Sequence, residues 1–182
     1  MLKITGQRLR LSLLFIQLQA GVAIAYFALA QLAFMLAFGQ DHIAPIWMPA
    51  GLALAAVLRL GYRVLPGVGL GTLLVALSSE APLLLAPIMA VANPLAAAVG
   101  CWLLRRYGFC PALTRVSDVL ALIVFAGILA MSISAFCGTT GLSVFGPITW
   151  DNYLTVLWNW WLGDVMGVIL IAPVLLTWSE PK

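Results

Sequence analysis

Long apolar stretches alternate with short polar connections along the chain. A helix crosses a bilayer with about 20 consecutive apolar residues, within a range of about 17–25. Six stretches approach or meet that length, over about 11–38, 43–58, 64–79, 82–104, 119–137 and 153–178. The pattern predicts an all-α fold, a polytopic transmembrane helical bundle of about six spans. The second and third stretches are short, about 16 residues each, or ~24 Å at ~1.5 Å per residue. A re-entrant hairpin would leave Arg59 and Arg63 at membrane depth, where each costs at least about 2.5–3.5 kcal/mol. As spans, the same stretches let both guanidinium groups snorkel to the far interface, so spanning is the expectation. Residues 1–182 are expected to form a single integral-membrane domain.

Composition narrows the class further. Of 182 residues, 64% are hydrophobic and only 8% charged, with a mean hydropathy of +1.10. A soluble domain is about 45–50% apolar and about 25% charged, and a disordered chain is less apolar and more charged still. Both are excluded.

Charge fixes the expected orientation. The net charge of +3 alone would admit a nucleic-acid partner. The basic residues, however, are Lys3, Arg8, Arg10, Arg59, Arg63, Arg105, Arg106, Arg115 and Lys182, in four clusters between apolar stretches. There is no continuous basic face and no RNA-binding aromatic signature, so nucleic acid is rejected. Basic residues near span ends favour the cytoplasmic side. A cytoplasmic N-terminus puts all nine inside and the loops Gly39–His42, Ser79–Ala81 and around Asp151 outside. Both termini are then cytoplasmic. The N-terminal run includes Ala28-Leu29-Ala30, which resembles a cleavage site. Its apolar length of about 28 residues exceeds the ~7–15 of a signal peptide, so it is expected to be an uncleaved first span. Trp47 and Trp150 fall near the outer boundary and Trp102 and Trp178 near the inner one, where tryptophan anchors at interfaces.

Asp164 is the acidic residue that falls deep in a span. It lies about 11 residues from Tyr153, or ~16 Å along a helix, close to the midplane. Ionisable groups at that depth face a partner or a wet cavity. Trp160 and Trp161 sit one turn before it, and Gly163 and Gly167 form a small-xxx-small pair that admits a close neighbour. Asn93 lies at matching depth in the fourth stretch, ahead of Pro94, which removes a helical hydrogen bond and frees a carbonyl near position 90. The two polar residues are expected to converge in the bundle interior. Two roles stay open: a buried Asp–Asn hydrogen bond fixing helix register, or a cavity for a ligand or proton.

A second anomaly is Trp47-Met48-Pro49-Ala50-Gly51, where Pro49 breaks or kinks the second span. Pro66, Gly67, Gly69 and Gly71 repeat the theme in the third, with Gly67 and Gly71 as a small pair. Tight helix packing is one reading. The other is an outer-leaflet pocket bounded by Trp47, with Gln31, Ser132 and Ser134 as further lining.

Other chemistry is sparse. No HExxH, GxSxG, P-loop or CxxC pattern occurs, so no catalytic residue and no metal site is assigned, and an enzyme is not expected. Cys101, Cys110 and Cys137 have no evident pairing, and His42 is the lone histidine. Asp41, Glu80 and Asp151 are scattered over outer loops, either as an electronegative mouth or as solvated charges. No cofactor is assigned.

The anomalous segments resemble the first class of bacterial membrane-associated sensor (MASE) domains. The matching residues are Ile46-Trp47-Met48-Pro49-Ala50-Gly51-Leu52-Ala53, then Leu60-Gly61-Tyr62-Arg63-Val64-Leu65-Pro66-Gly67 with Gly71. A second match is Trp158-Asn159-Trp160-Trp161-Leu162-Gly163-Asp164-Val165-Met166-Gly167 with Ala172-Pro173. The resemblance implies a multi-pass sensory module of the bacterial inner (plasma) membrane. It implies a cytoplasmic output partner, covalently or non-covalently linked, such as a diguanylate cyclase in cyclic di-GMP signalling or a histidine kinase in a two-component system. Members of that class are often longer, so the chain is expected to be a fragment of a larger receptor or a stand-alone relative.

The leading expectation is therefore a sensor that passes a ligand or membrane signal through the last span. Its candidate sensing residues are Asp164, Asn93, Trp47, Pro49, Gly51, Trp160 and Trp161. Gly67, Gly71, Gly163 and Gly167 are its packing positions. Expected partners are the lipid bilayer, a small molecule of unassigned identity, the output domain and a second copy of the chain in a homodimer. The alternatives are a small-solute transporter or its substrate-capture membrane subunit, which also uses broken helices, and a scaffolding membrane protein.

Overall fold

The computed structural model describes residues 2–37, 44–79 and 81–178, apart from the side chains of 2–10. The expectations placed on the side chains of Lys3, Arg8 and Arg10, and on Gly39–His42, Glu80 and Lys182, lie outside what is described. Six helices follow one another: α1 (Leu2–Met35), α2 (Met48–Leu60), α3 (Leu65–Ser78), α4 (Leu85–Tyr107), α5 (Val116–Phe145) and α6 (Tyr153–Trp178). Among the described residues there is no strand. Leu11–Met35, α4, α5 and Trp150–Trp178 are each long and apolar enough to cross a membrane. The fold is an all-α membrane bundle.

The short second element differs from its expected start at 43. Proline lacks an N–H and has a fixed φ, which suits it to the first turn of a helix. Pro49 occupies that place in α2. Ala44–Trp47 precede it as non-helical backbone. The 13 residues of α2 rise only ~20 Å at ~1.5 Å each. The second element is thus part helix and part non-helical strap. Gly61 ends α2 at φ 82°, a conformation glycine adopts without steric cost. A single 3₁₀ turn, Tyr62–Val64, leads into α3.

The fifth helix is longer than the expected 119–137. Asp118 caps its first turn, the carboxylate accepting from the backbone N–H groups of Cys110 at 3.1 Å and Arg115 at 3.3 Å. Such a carboxylate satisfies donors that a helix start leaves orphaned. Its second half stays helical to Phe145 through a serine- and threonine-bearing stretch, in which Ser132 Oγ bonds back to the Ile128 carbonyl at 2.8 Å. Gly146-Pro147 stops it. Within α5, Leu122–Ala130 winds as a wider π-helix.

Consecutive helices do not simply pack in order. α2 packs mainly on α6, and α3 mainly on α1 and α4. Gly67 and Gly71 permit the α1–α3 approach. A Cβ on Gly71 would lie 2.7 Å from Tyr26 Cβ, and one on Gly67 would lie 2.8 Å from the Gln19 carbonyl oxygen. The buried Gln19 side chain accepts from the Gly67 N–H at 2.7 Å and donates to the Arg63 carbonyl at 2.9 Å. It serves as a cap for α3 supplied by α1. The core is alanine-rich, with Ala30, Ala96, Ala126, Ala130, Ala135 and Ala172 fully enclosed. Small side chains of this kind let membrane helices approach closely.

Basic residues gather where α2, α4 and α6 end. The Arg59 guanidinium bonds the Leu176 carbonyl. The Arg105 guanidinium reaches the Val57 and Leu58 carbonyls, each at 3.5 Å, and lies 5.2 Å over the Tyr62 ring. Cations at helix C-termini complement the helix dipole.

Candidate functional site

Asp164 sits near the middle of α6 and is 1% exposed. Its Oδ2 has no hydrogen-bond partner among the described residues. It borders a small internal cavity with room for about one water molecule. Tyr26 of α1, Trp47 of the strap, Asn93 of α4 and Ser134 of α5 complete its polar lining. Met131 and the alanines Ala50, Ala53, Ala96 and Ala97 close the rest.

A hydrogen-bonded chain runs across this space. Asn93 Nδ2 donates to the Tyr26 hydroxyl at 2.9 Å, and Ser134 Oγ donates to Asn93 Oδ1 at 2.8 Å. Ser134 also faces the Asp164 carboxyl. The side chains of Thr72 and Trp47 face the Tyr26 hydroxyl. Five helices and the strap therefore meet at one set of polar groups. Pro94 keeps the α4 side of it close to α3: the region it frees includes the Ala90 carbonyl, 2.8 Å from where a Cβ on Gly69 would stand.

The strap lies directly on α6 beside the acid. The Trp47 N–H donates to the Gly163 carbonyl at 2.8 Å. A Cβ on Gly163 would stand 2.8 Å from the Ala44 carbonyl oxygen, and one on Gly167 would collide with the Trp47 carbonyl. Gly51 is equally confined, because a Cβ there would strike the Gly167 carbonyl and the Ile171 side chain. Non-helical backbone at membrane depth is tolerated only where protein or trapped water satisfies it, and the glycine face of α6 provides that cover.

The MASE1 profile, which describes a membrane-associated sensor domain, matches residues 17–181. That is nearly the whole chain. The chain belongs to the MASE1 family. Comparisons with curated proteins and with solved structures return no match. Membership makes this a sensory membrane domain of the kind found in signalling proteins, a multi-pass inner-membrane protein in contact with lipid.

In this MASE1 domain the two motif stretches quoted from the sequence are in contact. Asp164, Asn93 and Trp47 line the cavity. Asn93 and Asp164 do converge, with Ser134 between them, while the bonds of the Asn93 amide go to Tyr26 and Ser134. Pro49 and Gly51 stand outside the lining, the first starting α2 and the second seating it on α6. Trp160 and Trp161 point toward α5 instead. The Trp160 ring fills the space over Gly138, where a Cβ would be 2.6 Å away, and Trp161 Nε1 donates to the Ile128 carbonyl at 3.0 Å. Gln31 bonds Ser78 Oγ at 3.2 Å rather than lining the cavity. Gly163 and Gly167 admit the unwound strap as well as a helix, which a small-xxx-small pair does not by itself foretell.

Tyr26 is the site residue that the sequence reading passed over. Its signal was a phenol inside a first span otherwise apolar apart from Ser12, Gln17, Gln19 and Gln31. Among the described residues no group of three or more His, Cys, Asp or Glu side chains gathers to hold a metal.

Proposed function

We propose that this chain is the sensory input module of a signalling receptor, and that the Asp164 cavity is where its state is set. Both termini face the cytoplasm in this scheme, and α6 carries the signal to a cytoplasmic output domain, a diguanylate cyclase or a histidine kinase. The observation that carries the proposal is the contact of the strap with α6. Because the Trp47 N–H is bonded to the Gly163 carbonyl, any change in the cavity wall acts on the backbone of α6 one residue from Asp164. Arg59, bonded to the Leu176 carbonyl, then ties the far end of α2 to the last turn of α6. A sensor needs two states with different ligand affinity, and a broken crossing seated on glycines offers an element that can shift without melting a helix.

The cavity has room for about one water molecule, so a bulky solute does not fit it. The test replaces Asp164 by Asn in the receptor as encoded and measures its output in cells, as cyclic di-GMP or as kinase phosphorylation. A domain that remains in the membrane at normal abundance with output locked high or low supports the proposal. Unchanged output and unchanged response refute it.

A further inference from the structure

The cavity holds a carboxyl group with no cationic neighbour among the described residues. Charged groups buried away from water are strongly disfavoured unless paired. Among the described residues, the titratable group facing Asp164 is Tyr26 on α1. The other walls present Asn93 on α4, Ser134 and Met131 on α5, and alanines on α2 and α4. Among the described residues no lysine, arginine or histidine lines the cavity. The carboxylate therefore needs either a proton or a small cation.

The donor set favours a cation. Asp164 Oδ2 is buried with no hydrogen-bond partner. Asn93 Oδ1, Ser134 Oγ and the Tyr26 hydroxyl oxygen all take part in the chain described above, and such oxygens can accept more than one partner. These are oxygen atoms, the ligands hard cations take. The space fits a water-sized guest. A single carboxylate balances one positive charge and leaves a divalent ion uncompensated.

We propose that this cavity is a sodium-ion site, with Asp164 as its anionic ligand and Ser134, Asn93 and Tyr26 as neutral oxygen ligands. The proposal deepens the sensing role given above by naming the ligand class of the same cavity. Protons compete for the same carboxylate, so sodium affinity rises with pH. Binding pulls Ser134 and Asn93 toward Asp164, beside the strap that rests on α6.

The test uses the purified chain in lipid nanodiscs at alkaline pH. Sodium chloride is titrated against choline chloride at constant ionic strength, with thermal unfolding and tryptophan fluorescence as readouts. A ligand that binds only the folded state raises the melting temperature in a saturable way, and sodium is expected to do so while choline does not. Ser134→Ala is expected to weaken the response by roughly tenfold, the loss of one good polar contact. Asp164→Asn should abolish it. Should Asp164→Asn fail to fold, acidification of the wild-type protein replaces it, and the half-saturation point must move to higher sodium. Identical curves in sodium and choline, or a melting temperature that follows pH alone, overturn the proposal. So does a sodium response that survives in folded Asp164→Asn. Sodium binding without any effect of Asp164→Asn on cellular output would sink the sensing role and leave the ion site standing; the reverse result would do the opposite.

Discussion

The N–H of Trp47 reaches across to the carbonyl oxygen of Gly163, 2.8 Å away, and joins the start of one crossing to the centre of another. Two of the sequence motifs are thereby parts of a single joint. Its tightness comes from missing side chains. The glycines at 51, 163 and 167 leave room for carbonyl groups and for nothing larger.

Gly167→Ala tests that joint. The new methyl group must displace the Trp47 carbonyl, and overpacking of this kind costs about 1–3 kcal/mol. Chemical or thermal unfolding in detergent should register the loss, together with an altered fluorescence of the tryptophans around the strap.

A paired substitution in other helices separates close approach from helix propensity. Gly71→Ala pushes on Tyr26, whose Cβ would be 2.7 Å away, whereas Gly21→Ala meets nothing within 4 Å. The first should destabilise by about 1–3 kcal/mol, and the second should be neutral to stabilising by up to about 1 kcal/mol, the gain in helix propensity. Equal losses at both positions would contradict the α1–α3 packing described here.

Asn93→Ala removes both of the amide's bonds, to Tyr26 and to Ser134. Side-chain hydrogen bonds in membrane proteins average about 0.6 kcal/mol each, so a loss of about 1–2 kcal/mol is expected. Tyr26→Phe should cost about half of that. In a double-mutant cycle the two changes should be non-additive, since they share a bond.

Topology is open to direct measurement. A phosphatase that works only outside the cytoplasm should be active when fused after Asp151 and inactive when fused after Arg115. A cytoplasm-dependent fluorescent protein should give the reverse pattern. The opposite assignment would invalidate the orientation argued from the nine basic residues.

The apolar pattern located the six helices because span length is a property of consecutive residues. Their ends were harder to see. Pro49 delays α2, while α5 runs on to Phe145 through a serine- and threonine-bearing stretch where hydropathy fades. Asp164 and Asn93 were legible as a site because a midplane polar residue is costly wherever it points. Tyr26 and Gln19 were not, since a phenol or an amide in a long apolar run becomes informative only when its partner helix is known. The role of Gly163 and Gly167 was half legible. Their spacing announced a close approach, but an approaching strap and an approaching helix need the same gap.

Gly61 has a mechanical consequence. It is one residue with φ 82°, and it joins α2, which rides mainly on α6, to α3, which rides mainly on α1 and α4. Neighbours in the chain thus belong to different packing partnerships. The cavity is lined from both, by Trp47 and Asp164 on one side and by Tyr26 and Asn93 on the other. The bundle is thus built less like a ring of six posts than like two packing partnerships joined in the chain at Gly61.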